Sequence, residues 1–128
     1  MKLLLDTHIF IWSDEEPERI PQPQLSAMED ETNDLVLSVA SVWEMQIKIQ
    51  IGKLKLRMPL QEIIDEYQSV NDLQILPIEY KHILALDQLP FHHKDPFDRL
   101  IIAQAIAEDF TLVSADPKFS AYAVKLMK

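Results

Sequence analysis

The chain has 128 residues, enough for a hydrophobic core and too few for two ordinary domains, so one domain spanning residues 1–128 is expected. With 48% hydrophobic and 26% charged residues it has a soluble globular composition; no apolar run approaches the roughly 20 residues of a membrane span, and MKLLLD meets an aspartate before an export signal could form, so a cytoplasmic protein with no membrane association is expected. The lack of cysteine excludes disulfide scaffolds, thiolate zinc sites and cysteine nucleophiles, and a net charge of −9 argues against binding nucleic acid through a broad basic face.

In chain order, LLL at residues 3–5 reads as a buried strand, and DTHIFIW opens a helix after Asp6 with Thr7 available for capping. The proline-bearing segment EEPERIPQPQ leads to a second helix near residues 25–31. DLVLSV is a second buried strand, running into a helix over about residues 40–50 that ends near Gly52, the only glycine. KLKLRM alternates basic and apolar residues and fits either a short edge strand or an extended arm. LQEIIDEYQSV places Leu60, Ile63, Ile64, Tyr67 and Val70 at helical spacing, LQILPI is a third strand, and EYKHILALDQL is another amphipathic helix. After the polar loop PFHHKDP, the helix FDRLIIAQAIAED is apolar on more than one face and should be buried on several sides. TLVSA is a fourth strand, DPKFSAYA a short helix and VKLM a last strand; SDEEPE and MEDETND are solvated acidic segments. This alternation predicts an α/β sandwich on a parallel sheet, whose sites form outside the carboxyl ends of the strands.

Four acids stand where such a site would form: Asp6, Glu44, Asp98 and Asp116. Asp6 and Asp116 follow strands, and each could equally serve as the N-cap of the next helix, Asp116 with Pro117 at the first helical position. Asp98 falls at the third helical position, because Asp95 and Pro96 already supply cap and first residue; Ile101 and Ile102 one turn on place its face toward the core, where a carboxylate needs a partner. Glu44 is mid-helix, on a face that runs through Ala40, Ser41, Ile47 and Ile51, and its competing reading is an ion pair with Lys48 four residues on. Carboxylates gathered at one sheet edge would repel each other unless they held divalent metal, the usual equipment for phosphoryl transfer, and each bound ion would cancel two charges where a phosphate approaches. Without metal their pKa values should be raised.

An acid after the first strand, a glutamate in the helix after the second, an acid at the head of a late helix and another after the following strand form the acidic pattern of PIN-domain nucleases. The chain resembles that family, and within it the VapC-type toxins of bacterial toxin-antitoxin systems, through LLLDTHIFIW, LSVASVWEMQIKIQIGKLKL, LPFHHKDPFDRLIIAQA and TLVSADPKFSAY. The resemblance implies a PIN-like three-layer α/β sandwich with a central parallel sheet of about four to five strands flanked by helices. It also implies Mg2+ or Mn2+ held by carboxylates, endonucleolytic cleavage of RNA by a metal-activated water, inhibition by a VapB-like antitoxin protein, and a homodimer. Residue by residue, Asp6, Glu44 and Asp98 match the core acidic triad and Asp116 the fourth acid, as catalytic residues and metal ligands; Ser114 stands where the family often has threonine and keeps a hydroxyl there. Asp95 reads as a cap, and His92 and His93 as substrate contacts or plain surface residues. Lys48, Lys53, Lys55, Arg57, Lys94 and Arg99 are the candidate contacts to RNA phosphates.

Other classes fit less well. A phosphoacceptor domain needs a further acidic pair after its first strand and a lysine after a late one, and a haloacid-dehalogenase-like phosphatase would begin Asp-x-Asp where this chain has Asp-Thr-His. The alternative from a non-enzyme class is a PIN-like scaffold whose acids bind metal or a partner without catalysis.

Overall fold

Runs of leucine and valine, apolar on both sides of the pleat, build the centre of the molecule. The computed structural model describes residues 1–92 and 94–127. It contains one sheet of five strands, β1 (Lys2–Leu5), β2 (Asp34–Ser38), β3 (Gln74–Leu76), β4 (Thr111–Val113) and β5 (Leu126–Met127), in the order β3-β2-β1-β4-β5. Every pairing is parallel, with Leu5 opposite Leu37 on one side and Val113 on the other. Successive strand residues face opposite ways, so an all-apolar strand must be covered twice. Leu3, Leu5, Leu35, Leu37 and Val113 enter one core with Ile9, Phe10, Met45 and Ile63. Leu4, Val36 and Leu112 enter the other with Leu100, Ile101, Ile102, Ala105 and Phe119.

The helices are α1 (Thr7–Glu15), α2 (Gln22–Glu29), α3 (Val39–Gln50), α4 (Leu60–Asn71), α5 (Tyr80–Ala85) and α6 (Pro96–Glu108). Ile9 and Phe10 of α1 and Ile63 of α4 cover the first face of the sheet, and α6 covers the second, giving the three layers that the sequence leads one to expect. In α6 every residue from 99 to 105 is buried, as its many-sided apolarity requires. Truncating a core side chain such as Leu4 or Ile101 to alanine should cost about 2–5 kcal/mol.

Several elements differ from expectation for local reasons. Helix α2 starts at Gln22 rather than near residue 25. Pro21 precedes it and Pro23 sits in its first turn, where a missing N–H goes unused. KLKLRM forms no strand; it is an arm that lays Leu54, Leu56 and Met58 against the first core. EYKHILALDQL yields only the short α5 followed by a 3₁₀ turn, Leu86–Gln88, and DPKFSAYA a 3₁₀ turn, Pro117–Ala121. Gly52 does end α3, at φ 76°, where a side chain would be strained. Among the described residues no helix is long and apolar enough to cross a membrane.

From β1 the chain steps outward to β2 and β3, then returns to the far side of β1 for β4 and β5. Strand order therefore reverses between β1 and β4, the place where open α/β sheets form their clefts.

Candidate metal centre

Asp6 leaves the end of β1 at this reversal. Its N–H donates to Val113 O (3.0 Å), which fixes it beside the end of β4. Its carboxylate does two things at once. Oδ1 accepts the Ile9 N–H (3.0 Å) and so caps α1, while Oδ2 accepts the Ser114 hydroxyl. The cap is therefore Asp6 and not Thr7, which is the first helical residue. Burial pushes the Asp6 pKa up, opposed by the hydrogen bonds from Ser114 and Ile9.

Ser114 also links the fourth acid to the first, because its Oγ accepts the Asp116 N–H (3.0 Å). Asp116 in turn caps the following 3₁₀ turn through the Lys118 N–H (2.9 Å). Asp6, His8, Trp12, Asp116 and Pro117 line a cleft of about 230 Å³ at this edge; larger hollows lie between α2 and α4 and beside the 53–60 arm, away from the acids.

Glu44 projects from α3 and is 4% exposed. Its two oxygens have different partners: Thr7 Oγ1 donates to Oε1 (2.8 Å) and Lys48 Nζ to Oε2 (2.7 Å). Thr7 Oγ1 also lies 3.0 Å from Ser41 Oγ, so α1 and α3 are joined through buried polar groups. The ion pair with Lys48 is thus present, and Glu44 is compensated within the protein itself. The face behind it is buried at Ala40 and Ser41 but emerges by Ile51, which is 58% exposed.

Asp98 sits in the first turn of α6, where the Asp95 carboxylate caps the Phe97 and Asp98 N–H groups (2.9 and 3.1 Å), as expected of Asp95. Burial pushes the Asp98 pKa up to about 7, helped by the negative charges of Asp95, Glu44, Asp6 and Asp116. A helix N-terminus favours a carboxylate, so this shift runs against the helix dipole and shows which effect is larger. Glu44, Asp6 and Asp116 are thus near enough to Asp98 for their charges to act on it. Among the described residues, no three of these acids bring their oxygens within 4.8 Å of one another, a spacing met only by Glu79, His82 and Glu108 at the far end of α6.

Chemically, the four are hard oxygen donors of the kind Mg2+ and Mn2+ take, and a divalent cation would lower the Asp98 pKa that burial and the neighbouring acids raise. The donor set therefore fits such an ion.

The basic residues are rearranged relative to expectation. Arg99 is 6% exposed; its guanidinium donates to Pro90 O (2.8 Å) and Leu89 O (3.2 Å) and lies 3.8 Å from the centre of the Phe91 ring. It pins the 89–91 loop and cannot reach a phosphate. Arg57 is tied to Asp14 through Nε and Nη2 and to Glu66. Lys53, Lys55 and Lys94 are exposed. The His92 N–H donates to Tyr122 Oη (3.2 Å) and its ring meets that tyrosine edge-on; His93 lies outside the described residues. Sequence reasoning missed the role of Thr7 as a partner of Glu44. Its position one residue after Asp6, on the buried side of α1, was the available signal.

The sequence profile of the PIN domain family matches residues 3–125. Ribonuclease VapC22 of Mycobacterium tuberculosis is 28% identical over 125 residues, covering 94% of this chain and 91% of that protein. Among solved structures, VapBC2 from Rickettsia felis bound to a DNA fragment from its promoter superposes with a TM-score of 0.75 at 24% identity, covering 98% of this chain and 97% of that one. DNA-bound VapBC from Salmonella typhimurium superposes with a TM-score of 0.69 at 13% identity, covering 98% and 96%. At such identities these structures establish the shared fold.

Proposed function

The chain belongs to the PIN domain family, and from that premise we propose that residues 1–128 act as one PIN domain, a VapC-type endoribonuclease that is the toxin of a toxin-antitoxin pair. The observation that carries this reading is the cleft lined by Asp6 and Asp116 where the strand order reverses, with Asp98 near enough for their charges to help raise its pKa. Gathering like charges at a strand-order reversal works against stability and so points to function. Ribonuclease VapC22, matched along nearly its whole length, supports the same chemistry.

When bound, Mg2+ or Mn2+ would supply a water made acidic enough to attack a phosphodiester and would offset charge building on the phosphoryl oxygens. Asp6 and Asp98 would hold the ion. Ser114 keeps Asp6 in one rotamer and places Asp116 beside it. Thr7 and Lys48 hold Glu44 in place, and it and Asp116 would hold a second ion or orient waters of the first. RNA would be met at its phosphates by Lys53, Lys55 and Lys94 on the surface. A VapB-like antitoxin would exploit the same electrostatics, bringing basic residues to the acids and an amphipathic helix to an apolar groove. The toxin would act in the cytoplasm, as a homodimer when free.

Cleavage of single-stranded RNA in Mg2+ or Mn2+ tests the reading. Asp98→Asn should lower the rate by at least about a hundredfold, and a rate equal to wild type would remove Asp98 from the site. No cleavage by the wild type in either metal would favour the non-catalytic scaffold. Undiminished cleavage at saturating antitoxin would refute inhibition by that partner.

A further inference from the structure

The cleft that holds Asp6 and Asp116 has an aromatic wall that the metal chemistry does not use. His8 and Trp12 stand four residues apart on α1, which sets them on one face of that helix, and both line the cleft together with Ala115 and Pro117 from the turn after β4. Their rings lie 6.2 Å apart between centroids, tilted by 54°. Trp12 is half-buried against the first core, and the Arg19 guanidinium lies over its indole, 4.5 Å from the ring centre. Glu16 pairs with Arg19 in turn, at 3.1 Å. Core and cation thus hold the indole in place while part of it stays open to the cleft. The volume of about 230 Å³ falls below the roughly 300–1,000 Å³ of pockets that enclose drug-sized ligands, so the cleft suits a single ring system. A phosphate drawn to metal at the acidic end would bring its own nucleotide's base within reach of this wall. A base in a duplex is paired and stacked and cannot turn to a protein ring, whereas one in a single strand can.

We infer that Trp12 is a stacking platform for one nucleobase of single-stranded RNA, carried by a nucleotide flanking the phosphate at Asp6 and Asp116. The inference rests on the reading of the chain as a metal-dependent ribonuclease and adds a subsite to it. Every base has a π face, so the contact selects unpaired RNA over duplex without choosing a sequence.

The test removes the two partners of the stack separately and together. A single-stranded RNA oligonucleotide is cleaved in Mg2+ beside versions that each lack one base. Wild type should lose about tenfold in kcat/KM at one position next to the cleaved bond, through KM and with kcat unchanged. Trp12→Leu, which keeps an apolar side chain against the core, should show that loss on the intact oligonucleotide and no further loss at that position; Trp12→Phe should keep the wild-type pattern. A merely structural tryptophan would let the two losses multiply, and multiplied losses overturn the inference while leaving the ribonuclease reading intact. Absence of RNA cleavage by wild type overturns both. A second measurement needs no change at Trp12. The chain has two tryptophans, so Trp43→Phe leaves Trp12 as the only one. Adenosine 5′-monophosphate with Mg2+ should quench its fluorescence and ribose 5-phosphate should not; equal or absent quenching overturns the inference.

Discussion

Helix α6 carries a carboxylate at each end, and the two behave oppositely. Asp98, in its first turn, has its pKa pushed up to about 7, first by burial and then by four other acids. Glu108, its last residue, has its pKa held below the usual range, first by the hydrogen bond from Lys81 and with help from His82. The helix dipole alone predicts the reverse, since it favours an acid at the N-terminus and penalises one at the C-terminus by about 0.3–1 kcal/mol. Partners arriving from other elements outweigh it. At the C-terminal end, Lys81 Nζ lies 3.0 Å from Glu108 Oε1 and 3.5 Å from Glu79 Oε2, and the buried His82 accepts the Glu79 N–H at Nδ1 while Nε2 faces Glu108 (3.3 Å). Glu79, His82 and Glu108 form the tighter cluster. Lys81 lies beside the carboxylates of that cluster, whereas at the N-terminal end the neighbouring acids help raise the Asp98 pKa.

The contrast can be broken in several ways. The largest effect should be on activity: Asp98→Asn abolishes most RNA cleavage, whereas Glu108→Ala leaves the rate within about twofold of wild type in the same assay, because only the first removes a proposed metal ligand. Next is the dependence of stability on pH without metal. Asp98 keeps its proton in the folded state up to about 7, while the unfolded chain releases it near the ordinary aspartate value of 3.8. The folded state therefore binds more protons between these values, and stability is lost as pH rises through about 7. Melting followed by circular dichroism in chelator should give a Tm that falls from pH 5 to pH 8 in wild type, and Asp98→Asn should flatten this slope and melt higher than wild type at pH 8. A steeper slope in the variant would assign the titration elsewhere.

Metal should reverse that loss. Saturating Mg2+ raises the wild-type Tm at pH 8 by several degrees, since about 2.7 kcal/mol is gained at a hundred times the dissociation constant, and by less at pH 6, where a proton competes for Asp98. Asp98→Asn should not respond. The smallest effect belongs to the other end of the helix. Glu108→Ala removes the acceptor facing His82 and Lys81 and should lower Tm by about 3–5 °C with Mn2+ binding unchanged. Loss of Mn2+ binding in that variant would mean that the metal sits at the wrong end of α6.

Much of this was legible in the residues. LLL, DLVLS and TLV are too apolar for anything but strands covered on both faces, and a chain alternating such strands with helices has few foldings other than a parallel sheet. Asp95-Pro96 announced the head of α6 and thereby put Asp98 in its first turn. What was not legible were the partners. Asp6 and Asp116 were open to reading as caps or as ligands, and each caps while also facing the cleft, because a carboxylate has lone pairs for both. Arg99 resembled a phosphate contact since basic residues are usually exposed, and only the packing of the 89–91 loop reveals it as a buried anchor. KLKLRM has a strand's alternation, but its apolar residues are taken by the first core and none of its backbone joins the sheet.

The order of elements, the two-sided burial of the strands and the choice of acids at strand ends were determined by the sequence alone, because periodicity and side-chain type act over a turn or two of chain. Which acid is neutralised was decided by tertiary structure. Thr7 meets Glu44 across 37 positions and Ser114 meets Asp6 across 108, and no local pattern encodes such pairings. Hydrogen bonds and ion pairs act over a few ångströms, so the balance of charge in the pocket exists only once the sheet has brought its carboxyl ends together.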